Sequence, residues 1–302
     1  MSKVQVKKLH TLTGHRDCVY TLERASEPHL FFSAGGDGMV ALWDMNQPEE
    51  GELIAKLPNS IYAIHHLAEL NLLVAGHNYE GIHLLDWREK KEVASLQTTT
   101  AAIFDIKSFN NDLLVATGDG LLTIVDREKW VIKKKLLASE RSVRTMAINP
   151  VAGEVAVGYS DNFIRIFDLD GYQLKKEWQA HTNSVFTLAY DQEYKMLLSG
   201  SRDARIKVWE TAGYTLQEEI AAHLFAINHI EFSPDGKHFV TCSMDKSVKV
   251  WDTRALQLLK VIDKARHAGH GTSVNKLLWT SFNNELVSAS DDRTLSVWHL
   301  IF

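Results

Sequence analysis

Residues 14–44, GHRDCVYTLERASEPHLFFSAGGDGMVALWD, carry three landmarks. The apolar pair Val19 and Leu22 stands near the start. A regular strand puts same-face residues two apart, so a spacing of three predicts a bulge as a strand begins. A short helix is the alternative; the β-branched residues and short alternating runs nearby favour strand. Gly35-Gly36-Asp37-Gly38 reads as a tight turn. Six residues after Asp37 comes Trp43, in the run ALWD.

The landmarks return along the chain. Trp43, Leu85, Val125, Phe167, Trp209, Trp251 and Trp298 end strand-like runs, with gaps of 42, 40, 42, 42, 42 and 47 residues. Six residues before each stand Asp37, Tyr79, Asp119, Asp161, Asp203, Asp245 and Asp292. The apolar pair recurs as Ile61/Ile64, Ile103/Ile106, Val143/Met146, Val185/Leu188, Ile227/Ile230 and Val274/Leu277. Each unit of about 42 residues therefore holds four short strands, a to d, counted from the apolar pair. One such sheet cannot bury both faces, whereas seven stacked around an axis can.

With Gly14-His15, Ser33, Asp37 and Trp43-Asp44 in the first unit, the pattern resembles the WD-repeat β-propeller family over essentially the whole chain. The expected fold is all-β: a seven-bladed propeller of four-stranded antiparallel blades, residues 1–302 forming a single domain. The chain ends just after strand c of the last unit, while Val4–Leu12 is a spare strand-like segment. The N-terminal strand, residues 1–12, is expected to complete the last blade and close the ring.

Four units carry His, Ser or Thr, Asp and Trp at fixed offsets. These are His15, Ser33, Asp37 and Trp43; His181, Ser199, Asp203 and Trp209; His223, Thr241, Asp245 and Trp251; and His270, Ser288, Asp292 and Trp298. Such residues invite a hydrolase reading. An active site is normally made once, however, and this set recurs. A relay from the Trp N–H through the hydroxyl and His to Asp would instead satisfy buried polar groups. The family resemblance implies a structural tetrad. Units two to four have Leu57, Thr99 and Ser139 at the His position and no Trp anchor, so those blades are expected to rely more on apolar packing.

Composition narrows the function. Apolar residues make up 45% and charged residues 24%, enough for a sizeable core. The net charge of −5 excludes a strongly basic whole-chain footprint for nucleic acid. Two cysteines, Cys18 and Cys242, make no disulfide framework, so a reducing, cytoplasmic setting is expected. Both are read as unreactive thiols. Met1–Val6 lacks the apolar run of a signal peptide, and no stretch approaches 18 uninterrupted apolar residues, so no secretory leader or membrane span is expected.

Other chemistry finds little support. His65-His66 point to opposite faces of a strand, and His267 lies three before His270, which fits the tetrad pattern. No metal-ligand spacing or nucleotide, protease or esterase motif occurs, so no metal or cofactor is expected. Lys90-Lys91, Lys133-Lys134-Lys135 and Lys175-Lys176 fall on or near outer d strands, where charge discourages edge pairing. The surplus in the 47-residue gap falls around residues 263–269, in a d–a connection. It reads as a rim or lid, or equally as a neutral insertion.

In the resembled family, partners meet the face made by the d–a and b–c connections. Contacts there come from residues flanking the first apolar residue of strand a and from the residue before the turn Asp. On this sequence the resemblance selects Tyr20, Tyr62, Phe104, Arg144, Phe186, Arg202, Met244 and Asp291. Aromatics, arginines and a methionine have hot-spot composition. The expected function is a non-enzymatic scaffold, a monomer or part of a larger complex, binding a peptide segment of another protein. Arg144 and Arg202 would favour an acidic partner, with Asp291 setting orientation. The alternatives are a small-molecule or catalytic site at the channel mouth, and nucleic-acid binding through Arg144, Arg202, Lys264 and Arg266.

Overall fold

A computed structural model describes residues 4–302. The described residues form 28 strands in seven four-stranded antiparallel sheets. Blade 1 runs Val19–Arg24, Leu30–Gly35, Met39–Asp44 and Glu52–Lys56, and the pattern repeats through blade 6. Blade 7 takes Val274–Trp279, Glu285–Ser290 and Leu295–Ile301 as strands a to c, and Gln5–Leu12 as strand d. The ring thus closes as expected, with Gln5 opposite Ile301 and Leu12 opposite Leu295.

The core lies between blades rather than within them. Seven apolar clusters occupy the seven blade interfaces. Val19, Phe31 and Trp43 of blade 1 meet Val287, Leu295 and Val297 of blade 7. Phe32 and Val40, from the same strands as Phe31 and Trp43, turn the other way toward Ile61 and Leu73 of blade 2. Alternation along each strand feeds both neighbours, which is why no blade is stable alone.

The spacing of three marks a bulge in all seven blades. Register slips between Val19 and Thr21, Ile61 and Ala63, Ile103 and Asp105, Val143 and Thr145, Val185 and Thr187, Ile227 and His229, and Val274 and Lys276. The turn Asp is explained by a backbone need. In six blades its carboxylate accepts the N–H two residues on, from Met39, Leu121, Phe163, Arg205, Ser247 or Thr294. The residue between adopts positive φ; at Gly38 (φ 70°) a Cβ would lie 2.2 Å from the Leu57 carbonyl oxygen.

Blades 2 to 4 do pack apolar residues at the tetrad positions: Leu57, Ala75 and Leu85 between blades 1 and 2, Val125 between 2 and 3, Phe167 between 3 and 4. Two of them also keep polar contacts that the sequence reading missed. Thr99 donates to Asp119 at 2.7 Å in blade 3. In blade 4 Arg165 pairs with Asp161 and Glu177, both at 2.9 Å.

Residues 263–269 form a short helical turn, Lys264–His267, capped by Asp263. Lys8 of the closing strand donates to the Ala268 carbonyl at 2.9 Å. No residue of this segment lines the channel mouth; it braces the closing strand instead.

Candidate functional site at the channel mouth

The bulges build the site. In each a–b pair the residue inside the register slip has no strand partner. These seven residues are Tyr20, Tyr62, Phe104, Arg144, Phe186, Asn228 and Asn275. A bulge re-aims its extra side chain. Here all seven line one cavity of about 500 Å³ at the channel mouth.

The residues are ordered by charge and ring contact. Tyr20 and Tyr62 lie 4.7 Å apart between ring centroids, and Tyr62 and Phe104 lie 5.8 Å apart. The Arg144 guanidinium sits 3.8 Å from the Phe104 centroid and 4.7 Å from that of Phe186. The row therefore runs through blades 1 to 5. In blades 6 and 7 amides replace rings: Asn228 donates to the Val274 carbonyl at 2.8 Å, and Asn275 to that of Val19 at 3.0 Å.

Arg144 is the unusual member. Its guanidinium makes no hydrogen bond or ion pair with any described residue. Burial lowers its pKa to about 10, with Arg202 adding repulsion, yet it stays charged at neutral pH. A charge held between two rings keeps its N–H groups free for a ligand.

Of the eight partner-facing residues read from sequence, five line the cavity: Tyr20, Tyr62, Phe104, Arg144 and Phe186. Arg202, Met244 and Asp291 do not. Arg202 is exposed outside it, and Met244 is 51% exposed on the blade 6 turn. Asp291 accepts from Asn275 at 2.7 Å, so its carboxylate is already engaged.

Sequence reasoning missed three groups. Tyr79 also lines the mouth. Asp105, Lys107, His229 and Lys276 line the same cavity, and Glu23 and Glu231 lie near enough to act on Lys107 and Lys276. Burial would raise the Glu23 carboxyl, but His65, Lys107 and Lys276 outweigh it and leave it low. Burial and then Lys107 lower Lys276. Finally, Leu224 and Phe225 are 82% and 61% exposed, beside the Met244 turn, whose N–H bonds the Ala226 carbonyl. A signal existed: after the tetrad His, other blades carry Arg16-Asp17, Thr182-Asn183 and Gly271-Thr272, all without a large apolar side chain.

The four His/Ser-or-Thr/Asp/Trp sets are each hydrogen bonded. His15 contacts Asp37 at 3.0 Å and Ser33 at 2.7 Å, and the Trp43 indole donates to Ser33 at 2.7 Å. In blade 5 the same contacts measure 3.0, 2.8 and 2.9 Å, in blade 6 2.8, 2.8 and 3.0 Å, and in blade 7 all 2.9 Å. Burial alone would raise the carboxyls of Asp203, Asp245 and Asp292. Their histidines and neighbouring donors hold them far below the usual carboxylate range instead. A carboxyl depressed by folding stabilises above its unfolded pKa and loses that contribution as pH falls toward its folded one. The melting temperature is therefore expected to fall from about pH 4 downward. A scan from pH 7 to 2 should show a shallower fall for Asp203→Asn; an identical profile would remove the tetrad from the account.

The remaining candidates separate. His65 contacts Ser108 at 2.8 Å, whereas His66 packs near Phe32 and Trp87. Lys133 pairs with Asp112, Lys175 with Glu154 and Arg266 with Asp263. Cys18 is pushed up to about 11 by burial and then by Asp291; burial raises Cys242 further, so both thiols stay protonated at neutral pH. A hollow of about 750 Å³ at residues 44–52 is fringed by Glu49, Glu50 and Glu52 and gathers no chemistry.

Closed blades, recurrent tetrads and an open channel mouth define a repeat propeller. The WD40 family (WD domain, G-beta repeat) matches residues 6–44, 172–210, 214–252 and 262–299, just over half of the chain. The protein belongs to that family. Each match ends next to a tetrad Trp; blades 2 and 3 and strands a to c of blade 4, which have no complete tetrad, are unmatched. Among solved structures, the crystal structure of the WD40 beta propeller domain of Doa1 superposes with a TM-score of 0.86 at 18% identity, covering 97% of each chain. That likeness shows the fold. No curated protein matches the sequence.

Proposed function

We propose that this WD40 propeller is a non-catalytic interaction module that holds a peptide segment of another protein at the channel mouth. WD40 propellers commonly mediate protein–protein contacts, and no helix among the described residues is long and apolar enough to cross a membrane. The observation that carries the reading is Arg144, charged, held between Phe104 and Phe186 and without a described partner. The complementary group is a carboxylate, from an Asp or Glu side chain or a chain terminus. Tyr20 and Tyr62 extend the surface for an apolar neighbour of that acid, and exposed Arg202 adds favourable field. Leu224, Phe225 and Met244 offer a second apolar contact on the same face.

The tetrads support the non-catalytic reading. Ser33, Ser199, Thr241 and Ser288 are fully buried, and each hydroxyl is engaged by both His and Trp. No substrate carbonyl reaches them. The two free cysteines suit a reducing compartment such as the cytoplasm. The test is affinity capture with wild type and Arg144→Met. Partners recovered by wild type should be lost from the variant; equal recovery would reject this face.

A further inference from the structure

Blade 2 departs from the other six at its b–c turn. Tyr79 replaces the turn Asp, and His77, Glu80 and His83 surround it. At the same three register positions no other blade carries a His, Cys, Asp or Glu. The fold brings the three together. His77 Nδ1 lies 3.2 Å from His83 Nε2 and 3.3 Å from a Glu80 carboxylate oxygen, and all three atoms lie within 4.8 Å of one another. Tetrahedral zinc with bonds near 2.05 Å has ligand–ligand edges of about 3.3 Å.

A second observation points the same way. His83 Nδ1 lies 3.2 Å from the Glu92 carboxylate, which fixes the ring proton there and leaves Nε2 with its lone pair toward His77. A carboxylate behind a ligating histidine is the usual outer partner of a metal site. His77 is wholly buried, so its ring is held in place; Glu80 is exposed, with one carboxylate oxygen already beside His77 Nδ1. One contact opposes the arrangement. The Asn59 backbone N–H lies 3.2 Å from His77 Nε2, which favours the ring proton on Nδ1. The Asn59 side-chain amide is 3.3 Å from the same nitrogen, and turned over it presents an oxygen that accepts a proton moved to Nε2; the Asn59 backbone N–H gives up that acceptor and turns from the ring when the ion binds.

We propose that His77, Glu80 and His83 bind one Zn²⁺ ion on the partner-facing side of blade 2, with a fourth coordination position left open. Binding displaces the His77 Nδ1 proton to Nε2 and solvent from the ion. The sequence reading found no metal spacing because the two histidines are six apart and meet only across the hairpin. The site does not rest on the docking of a peptide; Tyr79 alone links it to the mouth.

The experiment titrates chelator-stripped protein with Zn²⁺ against a chromophoric competitor, and with Co²⁺ to read coordination by absorption. Wild type should bind one equivalent and give the intense visible bands of tetrahedral Co²⁺. Glu92→Gln should weaken Zn²⁺ binding roughly 10- to 100-fold. His83→Ala should lose the site, and Glu80→Gln, an exposed change that leaves the fold alone, should weaken it at least tenfold. Absence of saturable binding in wild type overturns the proposal, as does affinity unchanged in Glu80→Gln and Glu92→Gln.

Discussion

A chain lacking residues 1–12 melts about 10 °C below the full-length protein. The strand Gln5–Leu12 pairs along most of Leu295–Ile301. Val4 and Leu12 are buried, Val6 packs beside Trp298 and Leu300, and Leu9 packs against the blade 7–blade 1 cluster. Four apolar side chains at about 1.5–3 kcal/mol each give about 6–12 kcal/mol, of which a compact unfolded state and the partial exposure of Val6 and Leu9 leave about 5 kcal/mol. At about 2 °C per kcal/mol for a chain of this size, that is the stated shift. Removal also bares the edge of the last c strand, so aggregation on warming is expected. Calorimetry checks it; an unchanged melting temperature would mean that the ring does not depend on this closure.

Arg144→Met lowers partner recovery about 10- to 100-fold. A charge-assisted hydrogen bond contributes about 1.5–3 kcal/mol, and each 1.4 kcal/mol is a factor of ten. Met is chosen because its thioether fills the slot between Phe104 and Phe186 and keeps an aromatic contact. Stability should therefore change little, which a thermal melt verifies. Raising salt should weaken capture by wild type and leave the residual binding of the variant nearly constant. Equal recovery at every salt concentration would show that the guanidinium meets no acid.

The parts of the fold that were legible are those the backbone requires. The apolar pair marks a bulge and the turn Asp accepts a turn N–H, so the pair persists in all seven blades and the Asp in all but blade 2, where Tyr79 replaces it. That is how blades 2 to 4 could be read although no family match covers residues 45–171. The family resemblance pointed to the residue after the first apolar position of each unit, and the bulges give the backbone reason that these residues line one cavity. Side chains that differ between blades were not. Reading repeats for sameness passes over Leu224-Phe225 and His77, Glu80 and His83, because each occurs once. Arg202, Met244 and Asp291 were chosen through the resemblance, which does not say how far each turn stands from the cavity. The channel charges belong to four different strands and meet only when the ring closes.

The most direct measurement of the docking face is position-specific photo-crosslinking. A photoreactive residue replaces Tyr62 at the mouth in one sample and Val151 in another. Val151 is 80% exposed in an a–b turn, on the opposite face. Discrete crosslinked partners should form from position 62 and not from position 151. Crosslinks from 151 with none from 62 would place the partner on the wrong side of the ring and contradict the account.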